Sequence, residues 1–573
     1  MTTMPGPARD ANFRLKKIRP QRSSTVLTVL LILALLLPLA PIRSAQAQGG
    51  GTLRLAVRPI AGVTDQAPIP DPVQLAPDDL DARDLIENLY TGLFRYDAVT
   101  HLPVPVLVES WAVGADGMMW TFTLRQDVQW VSVNPDSGEV TALRPVVAQD
   151  FVTAILRACN PLKPSPASTA IYAIEGCYTA AQSNPLLVTD ELVESWVGIA
   201  ALDSTTLVMR LAFPLAYLPS LLTQPEFRPV PREFLNFTPA WPMLAANGPY
   251  VLADWRLGES LVLVRNPLWP ADLGAGGPER VELTFMAEGA ARAEAFLAGD
   301  ADVTRLGASG PSLTGLETVQ VRRGSEVTLL GFATERAFVS EVGVRQALAW
   351  AIDRDALAAA NPLYVSAPTL TAPGLVAGPP ESVGVGYEPD AARAALAEAG
   401  FSGCSAVPEV IRLVVSGDDV PLAEQIVAGW TQTLGCGPDL FAIVPTPAST
   451  IQGYARGLVD AENTIRPHLW LTTWRADTMD ANSGAGDAFH CLLGYFYSGL
   501  ACGPQDELID LAGTVAGAEE RPDIYARIEA RLFGPAGLYP AVPLLAAAEY
   551  VGVGAGVRGV GDFGPAWWPD YQL

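Results

Sequence analysis

Segments with strand alternation and segments with helical periodicity follow one another along this chain without a repeating period, and that pattern limits the fold more than any single motif does. "GTLRLAV" from Gly51 to Val57 alternates apolar and polar residues, as a half-buried strand does. The next periodic stretch, "DDLDARDLIENLY", carries acids at its start and then Leu80, Leu85, Ile86, Leu89 and Tyr90 at helical spacing. Acids favour a helix N-terminus, so this cluster needs no metal to explain it. The mixture continues: strands at "WTFTLRQDVQW", "STTLVMRL", "VELTFM" and "VIRLVVSG", a strand pair in "YVLADWRLGESLVLVRN", helices at "AQDFVTAILRA", "VRQALAWAIDRDAL", "PDAARAALAEAGF" and "LAEQIVAGWTQTLG". With 573 residues the chain exceeds what one core serves. The reading is an α/β protein of several lobes.

The first 47 residues set the compartment. Arg14, Lys16, Lys17, Arg19 and Arg22 precede the apolar run Val26 to Ala40, and Ala45 and Ala47 stand at A-x-A spacing. This is the pattern of a secretory signal peptide cut after Ala47, because the apolar run is shorter than the roughly 20 residues a spanning helix needs. An exported protein, periplasmic or extracellular and associated with the cell envelope, is expected. No cysteine lies near the cut to carry a lipid.

Removing the seven basic and one acidic residues of that segment takes the formal charge from −24 to −30. A surface this acidic repels phosphate backbones, which excludes nucleic acid as a partner. Lys163 is the only lysine beyond residue 47, so a phosphate-binding P-loop is absent and Schiff-base chemistry is disfavoured. Cys159, Cys177, Cys404, Cys436, Cys491 and Cys502 form three local couples, which in an exported chain points to three nearest-neighbour disulfides, although six cysteines allow 15 connectivities. No metal is expected: C-x-x-C spacing is missing, and His101, His468 and His490 are scattered.

Catalytic motifs are also missing. The chain has no G-x-S-x-G and no H-E-x-x-H. "GAGVRG" from Gly554 to Gly559 matches a dinucleotide fingerprint, but only 14 residues follow, too few for the helix and strand such a fold needs. No cofactor is expected. What remains is "TTWRADTMDANSG", Thr472 to Gly484, a loop with two acids, Asp477 and Asp480. Paired carboxylates there leave glycosidase chemistry open. Each acid could instead be a solvated loop residue, and Asp480 could cap a turn.

Eight segments, in order, resemble the family 5 extracellular solute-binding proteins of ABC importers, the oligopeptide and dipeptide binders. They are "LIENLYTGLFRYD", "PVLVESWAVGADGMMWTFTLRQDVQW", "VVAQDFVTAILRACNP", "IEGCYTA", "NGPYVLADWRLGESLVLVRNPLW", "VRQALAWAIDRDAL", "EPDAARAALAEAGF" and the acidic loop. The resemblance implies a two-lobed α/β clamp with an extra inserted domain. Domain I would comprise residues 48–93, 211–327 and 541–573, domain II 94–210, and domain III 328–540. It further implies a non-catalytic monomer that captures a peptide, or a non-peptide solute such as a sugar, metal complex or opine-like compound, and delivers it to a membrane permease. The loop is similar to the family's W-x-x-D-Y-P-D-P segment, which places Asp477 at the solute's α-amino group, with Trp474 lining the pocket and Asp480 beside it. Tyr250 and Gly248 in "NGPY" are further solute-contact candidates, Gly248 because glycine lets another group approach its backbone. Thr478, Met479 and Ala481 replace the family's Tyr, Pro and Pro, which removes rigidity and an aromatic wall.

Overall fold

The computed structural model describes residues 51–557, apart from 62–68, 76–78, 98–99, 101, 135–136, 167, 235–244, 274–276, 373–374, 380, 405–406, 408, 458–465, 498 and 516–519. The expected signal peptide, His101 and the last two residues of the Gly554–Gly559 stretch lie outside the described residues.

Among the described residues one sheet of 11 strands runs through both halves of the fold. In chain order its strands are β1 (Thr52–Val57), β2 (Tyr250–Arg256), β3 (Ser260–Arg265), β4 (Arg280–Phe285), β5 (Val303–Arg305), β6 (Val319–Phe332), β7 (Tyr364–Ser366), β8 (Ile411–Val415), β9 (Phe441–Pro445), β10 (Leu469–Arg475) and β11 (Ala541–Val553). Their spatial order is β2-β3-β4-β1-β5-β11-β6-β10-β8-β9, with β7 also on β11. β1 runs parallel to β4 and β5, and β8 parallel to β9 and β10, each through a crossover. Two α/β half-sheets are thus joined side by side.

The joint is made by the two longest strands of that sheet. β11 pairs with β5 through Val551–Val553 at one end and with β7 through Leu545–Ala547 near the other, and β6 pairs with it along most of its length. Val551 and Val553 belong to the first half's core, Val542, Leu544 and Leu545 to the second's. Between these buried ends, Ala547, Ala548 and Glu549 are only half-buried, as are Ser325 and Glu326 opposite. There the register of β6 slips between Arg323 and Val327. A bulge of this kind bends a strand and leaves residues unpaired, and here it marks a waist between two separately packed lobes. The limit placed at 327/328 falls inside β6, and that at 540/541 just before β11.

Each lobe is packed according to strand periodicity. In the second lobe alternate residues feed opposite layers: Leu330, Phe332, Leu469 and Leu471 face one cluster, Val327, Leu329, Trp470 and Trp474 the other. Helices Val342–Trp350, Pro389–Glu398 and Val420–Leu434 cover the first layer, Ala448–Ala455, Pro504–Thr514 and Arg521–Phe533 the second. Residues 94–210 add a four-stranded antiparallel sheet and two two-stranded ribbons. Their core is continuous with that of the first lobe, from Leu89 and Tyr90 through Trp130 and Phe151 to Leu207. The acidic run before the Leu80–Leu89 helix serves structure: Asp79 caps it by accepting from the Ala82 N–H, and Asp81 and Asp84 pair with Arg305.

The six cysteines stand as three bridged pairs, Cys159–Cys177, Cys404–Cys436 and Cys491–Cys502, with Cα separations of 5.0, 4.7 and 5.3 Å. No helix among the described residues is long and apolar enough to cross a membrane.

Candidate functional site

β10 delivers the acidic loop to the waist. Its last residue, Arg475, lies opposite Glu326 in the bulged stretch of β6 and pairs with it at 2.5 Å. The chain then turns through Ala476 to Met479 and enters a short helical turn, Ala481–Ser483. First-lobe residues meet the loop here: the Tyr96 hydroxyl accepts from the Met479 N–H (3.1 Å), and Asn482 Nδ2 donates to the Tyr217 hydroxyl (2.7 Å). Beside it, the Ala216 N–H donates to the Gly513 carbonyl at 2.7 Å.

The loop's two acids have opposite environments. Asp480 is fully buried; Arg521 donates two hydrogen bonds to it, at 2.7 and 2.6 Å, and its side chain also caps the turn by accepting from the Asn482 N–H at 3.0 Å. The Arg521 guanidinium is set between the rings of Tyr217 and Tyr525. Asp480, expected beside the solute, is placed in a buried ion pair with Arg521, and each of its oxygens accepts from the guanidinium.

Asp477 is half-buried, and among the described residues no donor reaches its carboxylate and no ion pair includes it. Burial raises its pKa above the ordinary aspartate value, while the fields of Arg83, on the Leu80–Leu89 helix of the first lobe, and of Arg475 pull it back down. Both arginines hold other partners, Arg83 donating to Gln224 and Arg475 to Glu326. Glu226, also in the first lobe, is raised to about 7, by burial first and by Asp477 among other causes. Asp487, five residues beyond Asn482, rises to about 8, through burial and then through the field of Asp477.

The other expected contacts serve the scaffold. Trp474 is buried against Tyr495 and Phe496, and its Nε1 donates to the Ser483 carbonyl at 2.8 Å. The structure places this ring, expected to line the pocket, in the core behind the loop. Tyr250 lies in the first lobe's core, where its hydroxyl donates to the Pro278 carbonyl at 2.9 Å. At Gly248 a Cβ would stand 2.5 Å from the Asn88 carbonyl oxygen, so the close approach that demands glycine comes from the chain's own backbone. Sequence reasoning missed Arg521, Tyr217, Asn482 and Asp487. Asp487 could have been found as a third acid just beyond the loop, in the helix Ala485–Phe489; the others are distant in sequence or carry no motif.

His490, Cys491 and Asp506 bring ligand-type atoms within 4.8 Å of one another. The Cys491 sulfur is bonded to Cys502, and the Asp506 carboxylate already accepts from the Cys491 and Gly503 N–H groups, at 2.8 and 2.7 Å. That donor set is spent on the loop and does not suit a metal ion.

The sequence pattern of the bacterial extracellular solute-binding proteins, family 5, matches residues 103–491. The chain belongs to this family. Among curated relatives, the periplasmic oligopeptide-binding protein of Escherichia coli is 31% identical over 209 residues, covering 35% of this chain and 34% of that protein. The dipeptide-binding protein of Bacillus subtilis is 23% identical over 278 residues, 47% of each. The alignments therefore span a third to a half of these relatives' length. The fold extends further: a periplasmic murein tripeptide binding protein in its unliganded open form superposes with a TM-score of 0.73, at 21% identity over 92% of this chain and 98% of the other. The Haemophilus influenzae oligopeptide-binding protein in complex with RPPGFSPFR gives 0.59, at 20% identity over 92% and 98%. The two-lobed clamp expected from the sequence is the fold of this family 5 chain.

Proposed function

We propose that this family 5 protein is the exported receptor of an ABC importer, and that it captures a peptide between its lobes with the solute's α-ammonium on Asp477. The observation that carries the reading is the state of Asp477: an enclosed carboxylate at the waist, in the segment that matches the family's loop, with no hydrogen-bond donor of its own. Burying an anion without a partner is costly, and a bound cation removes that cost. Because the site lies between halves joined by two strands, a solute that touches both lobes favours the closed arrangement, and closure is what a permease can read. Family relatives named for oligopeptides and dipeptides support the solute class. Glycosidase chemistry is disfavoured, since it needs two available carboxyl groups and Asp480 is held on Arg521. Delivery of an intact solute requires no catalytic group.

Calorimetry with Ala-Ala-Ala and its N-acetylated form tests the assignment. The wild type should bind the free peptide and lose most of that affinity on acetylation, whereas Asp477→Asn should bind both weakly and alike. Equal affinity of the wild type for the two peptides would remove the ammonium role.

A further inference from the structure

We propose that Glu226 is the first lobe's contact for the solute's ammonium group, facing Asp477 across the waist, so that one primary ammonium is held from both lobes at once. This rests on the reading of Asp477 as the ammonium partner and adds to it the residue through which the same group ties the lobes together.

Glu226 stands in the turn Pro225–Phe227, which packs on the Leu80–Leu89 helix, and only 3% of the residue is exposed. Among the described residues no other residue donates to its carboxylate and no ion pair includes it. Burying a carboxylate in that state is costly, and the chain avoids it elsewhere: Asp480 has Arg521, and Glu87 has Arg228. Hydrogen bonds, independent of any charge, bring this turn up to the acidic loop. Tyr217 meets Asn482, and three residues on, the Ser220 carbonyl accepts at 3.2 Å from the Tyr96 hydroxyl that itself accepts from the Met479 N–H. As the first-lobe chain advances from Tyr217, it thus meets the loop at successively earlier residues, and Gln224 to Glu226 continue that course toward Asp477. Arg83, buried and bonded to Gln224, feels both Glu226 and Asp477.

Charge balance then names the guest. Arg83 is the cation that Glu226 and Asp477 share, whereas Arg228 is held by Glu87 and Arg475 by Glu326. Two enclosed carboxylates against one guanidinium lack one positive charge, and without solute a proton on Glu226 supplies it. Burial, and after it the field of Asp477, raise Glu226 to about 7 against the pull of Arg83 and Arg228. A solute ammonium takes the place of that proton and donates charge-assisted hydrogen bonds to one carboxylate of each lobe. An acylated amine carries neither the charge nor the spare N–H groups. An ammonium gripped in this way favours the arrangement that keeps both lobes on it.

The test is calorimetry of Ala-Ala-Ala and its N-acetylated form at pH 7.5 with the wild type and Glu226→Gln. The variant should bind Ala-Ala-Ala about tenfold or more weakly than the wild type, while its affinity for the acetylated peptide stays within about threefold. A general disturbance of the fold would weaken both peptides alike, and that result would overturn the proposal, as would an unchanged affinity for Ala-Ala-Ala. Should Glu226→Gln fail to fold, wild-type titrations at pH 7 in buffers of different ionisation heat decide. Ala-Ala-Ala should then release about half a proton as Glu226 ionises and the acetylated peptide none, and equal release would overturn the assignment. If Asp477→Asn keeps full affinity for Ala-Ala-Ala, the Asp477 reading falls and this one with it. If Asp477→Asn weakens Ala-Ala-Ala but Glu226→Gln does not, only the Glu226 assignment falls.

Discussion

Asp480 and Asp477 stand three residues apart on one loop, and the fold treats them in opposite ways. Asp480 is buried, bonded twice by Arg521 and used as a turn cap. Asp477 is enclosed but accepts nothing. The difference teaches that carboxylate chemistry in a loop is set by what the rest of the chain places opposite it. One acid was given a cation and became part of the scaffold; the other was given none.

The largest effect that could break this contrast is on stability. Asp480→Asn leaves the Arg521 charge buried without its counter-charge and should cost about 3–5 kcal/mol of unfolding free energy by chemical denaturation. Asp477→Asn should change stability by less than about 1 kcal/mol, because it removes no native pair. If the two substitutions cost the same, the division of labour is wrong. Next in size, Asp477→Asn should weaken tripeptide binding by about 2–4 kcal/mol, or roughly 30- to 1,000-fold, measured by calorimetry.

Tyr217→Phe sharpens the comparison from the first lobe's side. It deletes the acceptor of the Asn482 Nδ2 bond but keeps the ring beside Arg521, and should cost about 1 kcal/mol in denaturation. A further test lies in the pH dependence. Asp487 has a folded pKa of about 8, far above its unfolded value, so between roughly pH 4 and pH 8 the folded state keeps a proton that the unfolded state has released. Its contribution to stability is therefore present at low pH and lost as pH rises through that window. Asp84, Glu226 and Glu529 are shifted in the same direction and are common to both proteins. Asp487→Asn should accordingly lose less stability than wild type between pH 5 and pH 8 in thermal melts; an unchanged difference would place Asp487 outside the coupled pair.

Much of the scaffold was legible from local patterns. The alternation in β1 and in the β2–β3 pair, and the periodicity of the Val342–Trp350 and Val420–Leu434 helices, report one face each, and that face is what the fold buries. The turn-capping option for Asp480 was legible for the same reason, since a side chain bonding its own backbone two residues on is a local event. Arg521 was not, because it reaches Asp480 across 41 positions of sequence. Trp474, Tyr250 and Gly248 were read as solute contacts, yet an aromatic ring or a glycine suits a binding wall and a packed interior equally well, and only their neighbours decide.

The sequence by itself determined the α/β character, the near absence of lysine, the strong acidity and the resemblance of eight ordered segments to one family, because composition and periodicity are properties of neighbours along the chain. The tertiary structure alone decided where β6 and β11 slip past each other at the waist, which acid of the loop receives Arg521, and which two are left without a cation. Those outcomes depend on groups that are distant in sequence and brought together by packing, and charge balance is settled only when such groups meet.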